Sequence, residues 1–293
     1  MDSFGELLTA MVTPFNEKLE LDLEKARNLA NYLVDNGSDG LVVLGTTGES
    51  PTLTYDEKMK LLETVVDEVG DRATILAGTG SYSTAESIRL TEEAEKIGVD
   101  GIMLVTPYYN KPPQSGLYHH FKAIAERTSL PIMLYNIPGR TARNIEVETM
   151  LELAKIDNII AVKEASGDLN QVSALTRLLP DDFLVYSGDD SLTLPVLSVG
   201  GTGVVSVAGH LAGNEIKKMI TAFKNNQLDE AIRMNKKLGK LFEILFITTN
   251  PIPVKTALNL IGFEVGGVRG PLVEMNDNER ERLSEVLREF QLL

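Results

Sequence analysis

The sequence predicts an α/β protein, a (β/α)8 TIM barrel with a C-terminal helical extension, and three observations carry that prediction. Eight short apolar, β-branched runs are spread along the chain as far as Val207. Amphipathic segments of helical period separate them, at the roughly 30-residue spacing of a strand–helix–strand unit. A fragment also repeats: Gly37-Ser-Asp-Gly leads into LVVL, and Gly98-Val-Asp-Gly leads into IMLV. Eight units of this kind favour a closed barrel over an open sheet.

The runs are LLTAMVTPF from Leu7, GLVVLG from Gly40, TILAGTG from Thr74, GIMLVTP from Gly101, PIMLYNIP from Pro131, IIAVKEAS from Ile159, FLVYSGD from Phe183 and GTGVVSV from Gly201. Most are continuously apolar, as strands covered on both faces should be. Between them, Leu23, Ala26, Leu29, Ala30 and Leu33 fall on one helical stripe, as do Met59, Leu62, Val65, Val66 and Val69. Thr54 with Glu57, and Ser83 with Glu86, have capping-box spacing. The repeated glycine fragment reads as a helix ending at a glycine cap before a buried strand. The barrel is expected to occupy residues 1–225. Residues 226–293 are expected to form helices packed on it: one over 228–246, one after the Pro251/Pro253 break, and one over 277–290.

Composition narrows the function classes. There are 28 basic and 42 acidic residues, a net charge of -14. That argues against a nucleic-acid binder, which needs a basic face. With no cysteine there is no disulfide, thiol nucleophile or thiolate metal site. No apolar run approaches the ~20 residues of a membrane span. The N-terminal stretch carries Asp2 and Glu6 and lacks the pattern of a signal peptide. These readings point to a cytoplasmic protein.

Barrel active sites lie at the C-terminal ends of the strands. Lys163 stands there, inside the apolar run IIAVKEA. Burial disfavours an ammonium and frees the amine to attack a carbonyl. The plainer alternative is a lysine that snorkels outward or pairs with Glu164. Tyr135 ends the fifth run and can relay protons beside such an amine, or merely anchor the rim. Thr46 and Thr47, bracketed by glycines, can hold a carboxylate through N–H and hydroxyl groups, or simply form a tight turn. Arg140 follows a Pro-Gly turn and suits a bidentate carboxylate contact, or else lies on the surface. Tyr108-Tyr109, Ser187-Gly188-Asp189-Asp190 and Val205-Ser206 complete the rim.

Rival chemistries fit less well. Glu49, Glu164, Asp189 and Asp190 offer oxygen ligands for a hard cation. His119 and His120 fall in a helix, and His210 lies just past the eighth run, so no histidine set stands at the strand ends. A phosphate-binding barrel uses the loops after strands seven and eight, where Asp189 and Asp190 would repel phosphate.

Together the strings VTPF at Val12, GTTGESPTL at Gly45, AGTG at Ala77, TPYYNKP at Thr106, YNIPGRT at Tyr135, VKEASGD at Val162, SGDD at Ser187 and NPIPVK at Asn250 resemble the dihydrodipicolinate synthase family, within the N-acetylneuraminate lyase superfamily. The resemblance covers essentially the whole chain. It implies condensation of pyruvate with L-aspartate 4-semialdehyde to 4-hydroxy-tetrahydrodipicolinate, the first committed step toward diaminopimelate and lysine. It implies that Lys163 forms a Schiff base with pyruvate and that Tyr135 donates and accepts protons. Thr46 and Tyr109 would complete a relay, with Tyr109 reaching into a neighbouring subunit. Thr47 and Val205 would hold pyruvate, with Gly188 lining the pocket, and Arg140 would hold the semialdehyde's carboxylate. It further implies a homotetramer built as a dimer of dimers, and no metal or organic cofactor.

The alternative within the superfamily is a pyruvate-dependent sugar-acid aldolase. GTTGE rather than GSTGE, the Tyr-Tyr pair and the arginine of YNIPGR favour the synthase. Feedback-sensitive members bind lysine through positions matching Ser50, Pro51, Tyr55, Lys58, Tyr82, Glu86 and Tyr108. Here Tyr55 and Lys58 replace two histidines, and Tyr82 replaces an asparagine. Weak inhibition by lysine, or none, is therefore expected.

Overall fold

The computed structural model describes residues 4–293; the part of the N-terminal reading that rests on Asp2 lies outside them. Eight parallel strands close into one barrel in sequence order, and the expected architecture is borne out. They are β1 (Leu7–Ala10), β2 (Gly40–Val43), β3 (Thr74–Gly78), β4 (Gly101–Val105), β5 (Ile132–Asn136), β6 (Ile159–Glu164), β7 (Leu184–Ser187) and β8 (Gly203–Ser206). Around them run α1 (Leu23–Asp35), α2 (Tyr55–Val69), α3 (Thr84–Ile97), α4 (Gln114–Ala125), α5 (Pro138–Thr141), α6 (Val147–Leu153), α7 (Leu169–Leu178), α8 (Thr193–Ser198) and α9 (Gly209–Lys224). Then come α10 (Leu228–Ile244), α11 (Ile252–Leu260) and α12 (Asp277–Glu289). These last three match the helices expected after residue 225. α10 packs on α9, and α12 packs on α10 and α11.

The two faces of each strand feed two cores, which is why the runs carry no polar alternation. Leu8, Val42, Leu76, Met103, Met133, Ala161, Tyr186 and Val205 fill the barrel interior. Their neighbours Leu7, Leu41, Ile75, Ile102, Leu134, Val162, Val185 and Val204 pack outward against the helices. Phe4 and Tyr186 belong to the inner cluster, and the Tyr186 hydroxyl donates to the Gly5 carbonyl at 2.7 Å. Most of the expected α1 and α2 stripes is buried, Leu29, Leu33, Leu62 and Val65 fully so, while Leu23, Met59 and Val66 are only partly covered.

The repeated glycine fragment has a second function beyond turning the chain. Gly37 and Gly98 take φ of +100° and +94°, a region open mainly to glycine. The aspartate two residues later then binds the backbone of the preceding strand. Asp39 accepts from the N–H groups of Glu6 and Leu7 at 2.8 and 3.0 Å, and Asp100 accepts from Ile75 N–H at 2.8 Å. Each turn therefore fastens one unit to the previous one.

Two local expectations need correction. Thr54 and Glu57 form a full capping box, but Ser83 and Glu86 form only half of one. Glu86 turns instead to the Ser81 hydroxyl at 3.0 Å, a partner that the sequence spacing does not reveal. The Pro-Gly turn before Arg140 is a one-turn helix, α5, started by Pro138, whose fixed φ suits a first helical position.

Candidate active site

Strand parity decides which side chains enter the barrel. Tyr135 on β5 and Lys163 on β6 are register partners and share the inward parity of Met133 and Ala161. The Lys163 Nζ lies 4.2 Å from the centre of the Tyr135 ring. Lys163 is 6% exposed and has neither hydrogen bond nor ion pair among the described residues. Burial without a counter-charge in contact pulls its pKa down to about 8, aided by the Arg140 charge and opposed by Asp190. Burial pushes the Tyr135 phenol up to about 12, against the opposing influence of Arg140 and of the Thr46 hydroxyl.

Pairing of Lys163 with Glu164 is excluded by the same parity. Glu164 points out of the barrel and accepts from Asn136 Nδ2 at 2.9 Å, Gln171 Nε2 at 2.9 Å and the Ser166 N–H at 2.7 Å. Asn136 in turn accepts from the Ile145 N–H at 2.9 Å. This buried amide network fixes the ends of β5 and β6 from outside, behind the two residues that face inward.

The remaining strand ends close around this pair. Gly188 donates to the Glu164 carbonyl at 2.8 Å. A Cβ there would stand 2.6 Å from Ala165 Cβ and 3.1 Å from Lys163 Cε, so any larger residue would push Ala165 aside and crowd the lysine. Val205 is buried in the inner cluster on β8. In the GTTGE turn the N–H groups of Gly48, Glu49 and Ser50 bond back to Gly45 and Thr46. Those of Thr46 and Thr47 have no protein partner among the described residues, which leaves two donors for a carboxylate. The Thr47 Oγ1 accepts from Asn250 Nδ2 at 2.9 Å, and the Asn250 carbonyl accepts from Arg140 Nη2 at 3.3 Å.

A cavity of about 420 Å³ opens onto Thr46, Tyr135 and Arg140. Lys163, Thr47, Gly188 and Val205 do not line it. The residues matched to the lysine-effector positions share this cavity: Ser50, Pro51, Lys58, Tyr82, Glu86 and Tyr108 all line it. Tyr55 does not, and its ring instead sits under the Arg89 guanidinium at 4.6 Å. Tyr109 is not brought to the site of its own chain. It is 90% exposed, with φ of +69°.

Two residues take parts here that the sequence does not assign to them. Asp190 is buried and accepts from Ser206 Oγ and from the N–H groups of Val207 and Ala208 at 3.0 and 2.9 Å. It thereby holds the end of β8 while its charge favours the protonated form of Lys163. The sequence places it after β7 as a free acidic group and does not show that it caps the end of β8. Asn250 lies far away in sequence, inside a recognisable string, but nothing local shows that it touches Thr47. Each of the four carboxylates expected to suit a hard cation already has protein partners: Glu49 has Lys255 at 2.8 Å, Glu164 its amides, Asp189 the Ser191 N–H at 2.8 Å and Asp190 the end of β8.

A barrel that sets a readily deprotonated amine beside a phenol, with hydroxyls, free N–H donors and a guanidinium around them, is equipped for chemistry on a carboxylated carbonyl compound. The profile of the Dihydrodipicolinate synthetase family matches residues 3–290, and the chain belongs to this family. A 4-hydroxy-tetrahydrodipicolinate synthase of Desulforudis audaxviator is 60% identical over 290 residues, covering 99% of both chains. Among solved structures, the dihydrodipicolinate synthase DapA-2 of Bacillus anthracis superimposes with a TM-score of 0.96 at 50% identity, covering 98% of this chain and 99% of that one. The enzyme of Cyanidioschyzon merolae with lysine bound gives 0.97 at 47% identity, covering 99% of each. The principal reading of the sequence, a synthase of the lyase class, is borne out, and the sugar-acid aldolase reading is not.

Proposed function

We propose that this enzyme condenses pyruvate with L-aspartate 4-semialdehyde, with Lys163 as the covalent nucleophile. The observation that carries the proposal is the unpaired Lys163 amine, poised near pH 8 against the Tyr135 ring. Neutral Nζ adds to C2 of pyruvate, one Nζ proton passes by way of Tyr135 to the C2 oxygen, and the phenol's own proton then lets that oxygen leave as water, giving the iminium and a Tyr135 phenolate. The Tyr135 phenolate takes a C3 proton from the iminium, which gives an enamine and restores the phenol for the next transfer. That carbon attacks the aldehyde carbon of the second substrate, forming the new C–C bond while the aldehyde oxygen takes a proton. The substrate's own amine then displaces Nζ at C2, closing the ring and returning the lysine.

Thr46 and Tyr109 complete the proton relay with Tyr135. The N–H groups of Thr46 and Thr47 bind the pyruvate carboxylate, with Val205 and Gly188 shaping the pocket around it. Arg140 binds the carboxylate of the semialdehyde. Tyr109 serves the site of a neighbouring subunit, and the enzyme is a homotetramer of two tight dimers. Its near-complete exposure and left-handed backbone support that reading, because a relay residue that reaches nothing in its own chain needs a partner. Residues 1–225 act as the barrel and 226–293 as its helical support. The enzyme works in the cytoplasm; among the described residues no helix is long and apolar enough to cross a membrane. No cofactor enters the scheme.

Borohydride reduction in the presence of pyruvate tests the nucleophile: one reduced adduct per chain is expected, at Lys163. Adduct at another lysine, or none, overturns the mechanism. Mixing Lys163→Ala and Tyr109→Phe chains tests the shared site, since exchange of subunits should restore part of the activity.

A further inference from the structure

A second buried lysine lies outside the chemistry described above. Lys255 on α11 has a side chain only 2% exposed, and its partner Glu49, which closes the GTTGE turn, is 1% exposed. The Lys255 Nζ donates to Glu49 Oε1 at 2.8 Å, to the Thr13 carbonyl at 3.0 Å and to the Gly267 carbonyl at 2.5 Å. The other oxygen of Glu49 accepts from the Arg269 N–H at 2.8 Å. Thr13 returns to the same turn, its hydroxyl donating to the Gly48 carbonyl at 2.5 Å. Phe15 is flanked by both cations, Lys255 Nζ at 4.2 Å and Arg269 Cζ at 4.3 Å from its ring centre. The Arg269 guanidinium continues to the Thr52 carbonyl at 3.0 Å and to both oxygens of Glu57 at 2.9 and 2.6 Å.

All three hydrogen bonds of the ammonium and both oxygens of the carboxylate are used. Such an arrangement has one geometry, and displacing either partner strands a buried charge. Its location gives it a consequence for the reaction. Glu49 holds a φ of +53° and sits two residues beyond Thr47. Thr47 itself is tied to Asn250, five residues before Lys255 in the same C-terminal segment. One segment therefore grips the turn at two points, by an amide at Thr47 and by an ion pair at Glu49.

We infer that Lys255 and Glu49 are positioning residues, which fix the Thr46–Thr47 turn at the height where its N–H groups meet the pyruvate carboxylate. The helical region after the barrel then has a role in substrate binding although none of its charged side chains reaches the reacting atoms. The inference rests on the pyruvate reading of Thr47. Displacing a positioned group by about 1 Å costs on the order of 100-fold in rate.

The test compares Lys255→Met, Glu49→Gln and the double variant with the parent. Each is first checked for folding by circular dichroism and thermal melting. Steady-state constants are then measured for both substrates, with the pyruvate dependence of borohydride trapping at Lys163. The single variants should raise the pyruvate KM by about tenfold or more, between no effect and that full displacement. The semialdehyde KM should stay within about twofold of the parent, since Arg140 is not touched. The double variant, which leaves no lone charge, should regain thermal stability relative to the singles yet keep the raised pyruvate KM. A purely structural pair would instead move the melting temperature alone.

A folded double variant with parental pyruvate KM and trapping overturns the inference. So does a rise confined to the semialdehyde KM. If a single variant does not fold, the double carries the test. Failure of the parent to trap pyruvate at all would defeat the Schiff-base reading instead, and so remains distinguishable.

Discussion

Lys163 and Lys255 are both buried, and each holds its ammonium 4.2 Å from the centre of an aromatic ring. They differ in what else surrounds the nitrogen. Lys255 has a carboxylate at 2.8 Å and two carbonyls, so its charge is compensated in place. Burial still lowers its pKa, but Glu49 pulls against that. Lys163 has the ring and no contacting acceptor, with Asp190 opposing the shift only from a distance and Arg140 adding to it. On the proposed reading, a buried lysine is free to act as a nucleophile where the fold withholds its partner, and is a structural tie where the fold supplies one. The sequence hints at the difference: Lys163 lies within an inward strand position, whereas Lys255 follows a proline break on a helix.

The largest expected effect separates the two by activity. Lys163→Ala should reduce turnover by more than the ~10²–10⁴-fold that a single proton-transfer group contributes, because the covalent route itself is lost. Stability should move in opposite directions. Lys255→Met leaves Glu49 without its cation, and breaking a buried pair this way costs about 3–5 kcal/mol. Lys163→Met removes a lone ammonium that a free lysine would carry near 10.5 and this one carries only below about 8. The folded state thus binds that proton more weakly, a penalty present at neutral pH and relieved as pH rises toward 10.5. Its removal should stabilise the fold at pH 7, by as much as about 3 kcal/mol. Urea unfolding of both variants checks the signs; a loss of stability in Lys163→Met would break the comparison.

A smaller effect is expected at Arg140, whose guanidinium stands at the cavity mouth, braced on the Asn250 carbonyl. Arg140→Ala should cost about 2–3 kcal/mol in kcat/KM for the semialdehyde, the range of a hydrogen bond to a charged group. Because the arginine's charge lowers the Lys163 pKa, its loss should also move the pyruvate limb toward higher pH. Pyruvate trapping should survive. An effect confined to pyruvate would reassign the residue.

The smallest effect concerns lysine as an effector. Lys58, Tyr82, Glu86 and Tyr108 share the cavity that reaches Tyr135, and the Tyr82 and Tyr108 rings meet edge-on at 5.3 Å. The Lys58 ammonium would face a ligand bearing two, although Glu86 acts on it in the opposite sense. Half-inhibition is expected only above about 1 mM lysine, less than about 4 kcal/mol of binding. Half-inhibition well below that concentration would show that the Tyr55, Lys58 and Tyr82 substitutions do not disable the effector site.

The barrel was legible because continuous apolar runs and helical stripes each have a direct physical cause, burial on two faces or on one. Lys163 and Tyr135 were legible for the same reason, as polar residues at strand positions that otherwise hold apolar ones. What escaped was long-range pairing. Nothing near Glu49 signals that Lys255 will meet it, and nothing near Thr47 signals Asn250, because those contacts close only when the C-terminal helices dock. The choice of Ser81 as the partner of Glu86 was hidden likewise, since spacing fixes which residues can meet, not which of two hydroxyls wins.

The central claim, that Lys163 reacts because the fold leaves it unpaired, is tested most directly by the pH dependence of pyruvate adduct formation. The rate of reducible adduct formation at Lys163 should fall about tenfold per pH unit below a midpoint near 8, as the amine takes up its proton. It should level off above that midpoint, well below the titration of the Tyr135 phenol near 12. Adduct at Lys163 with a midpoint near the 10.5 of an ordinary lysine, or adduct at Lys255, would contradict the account.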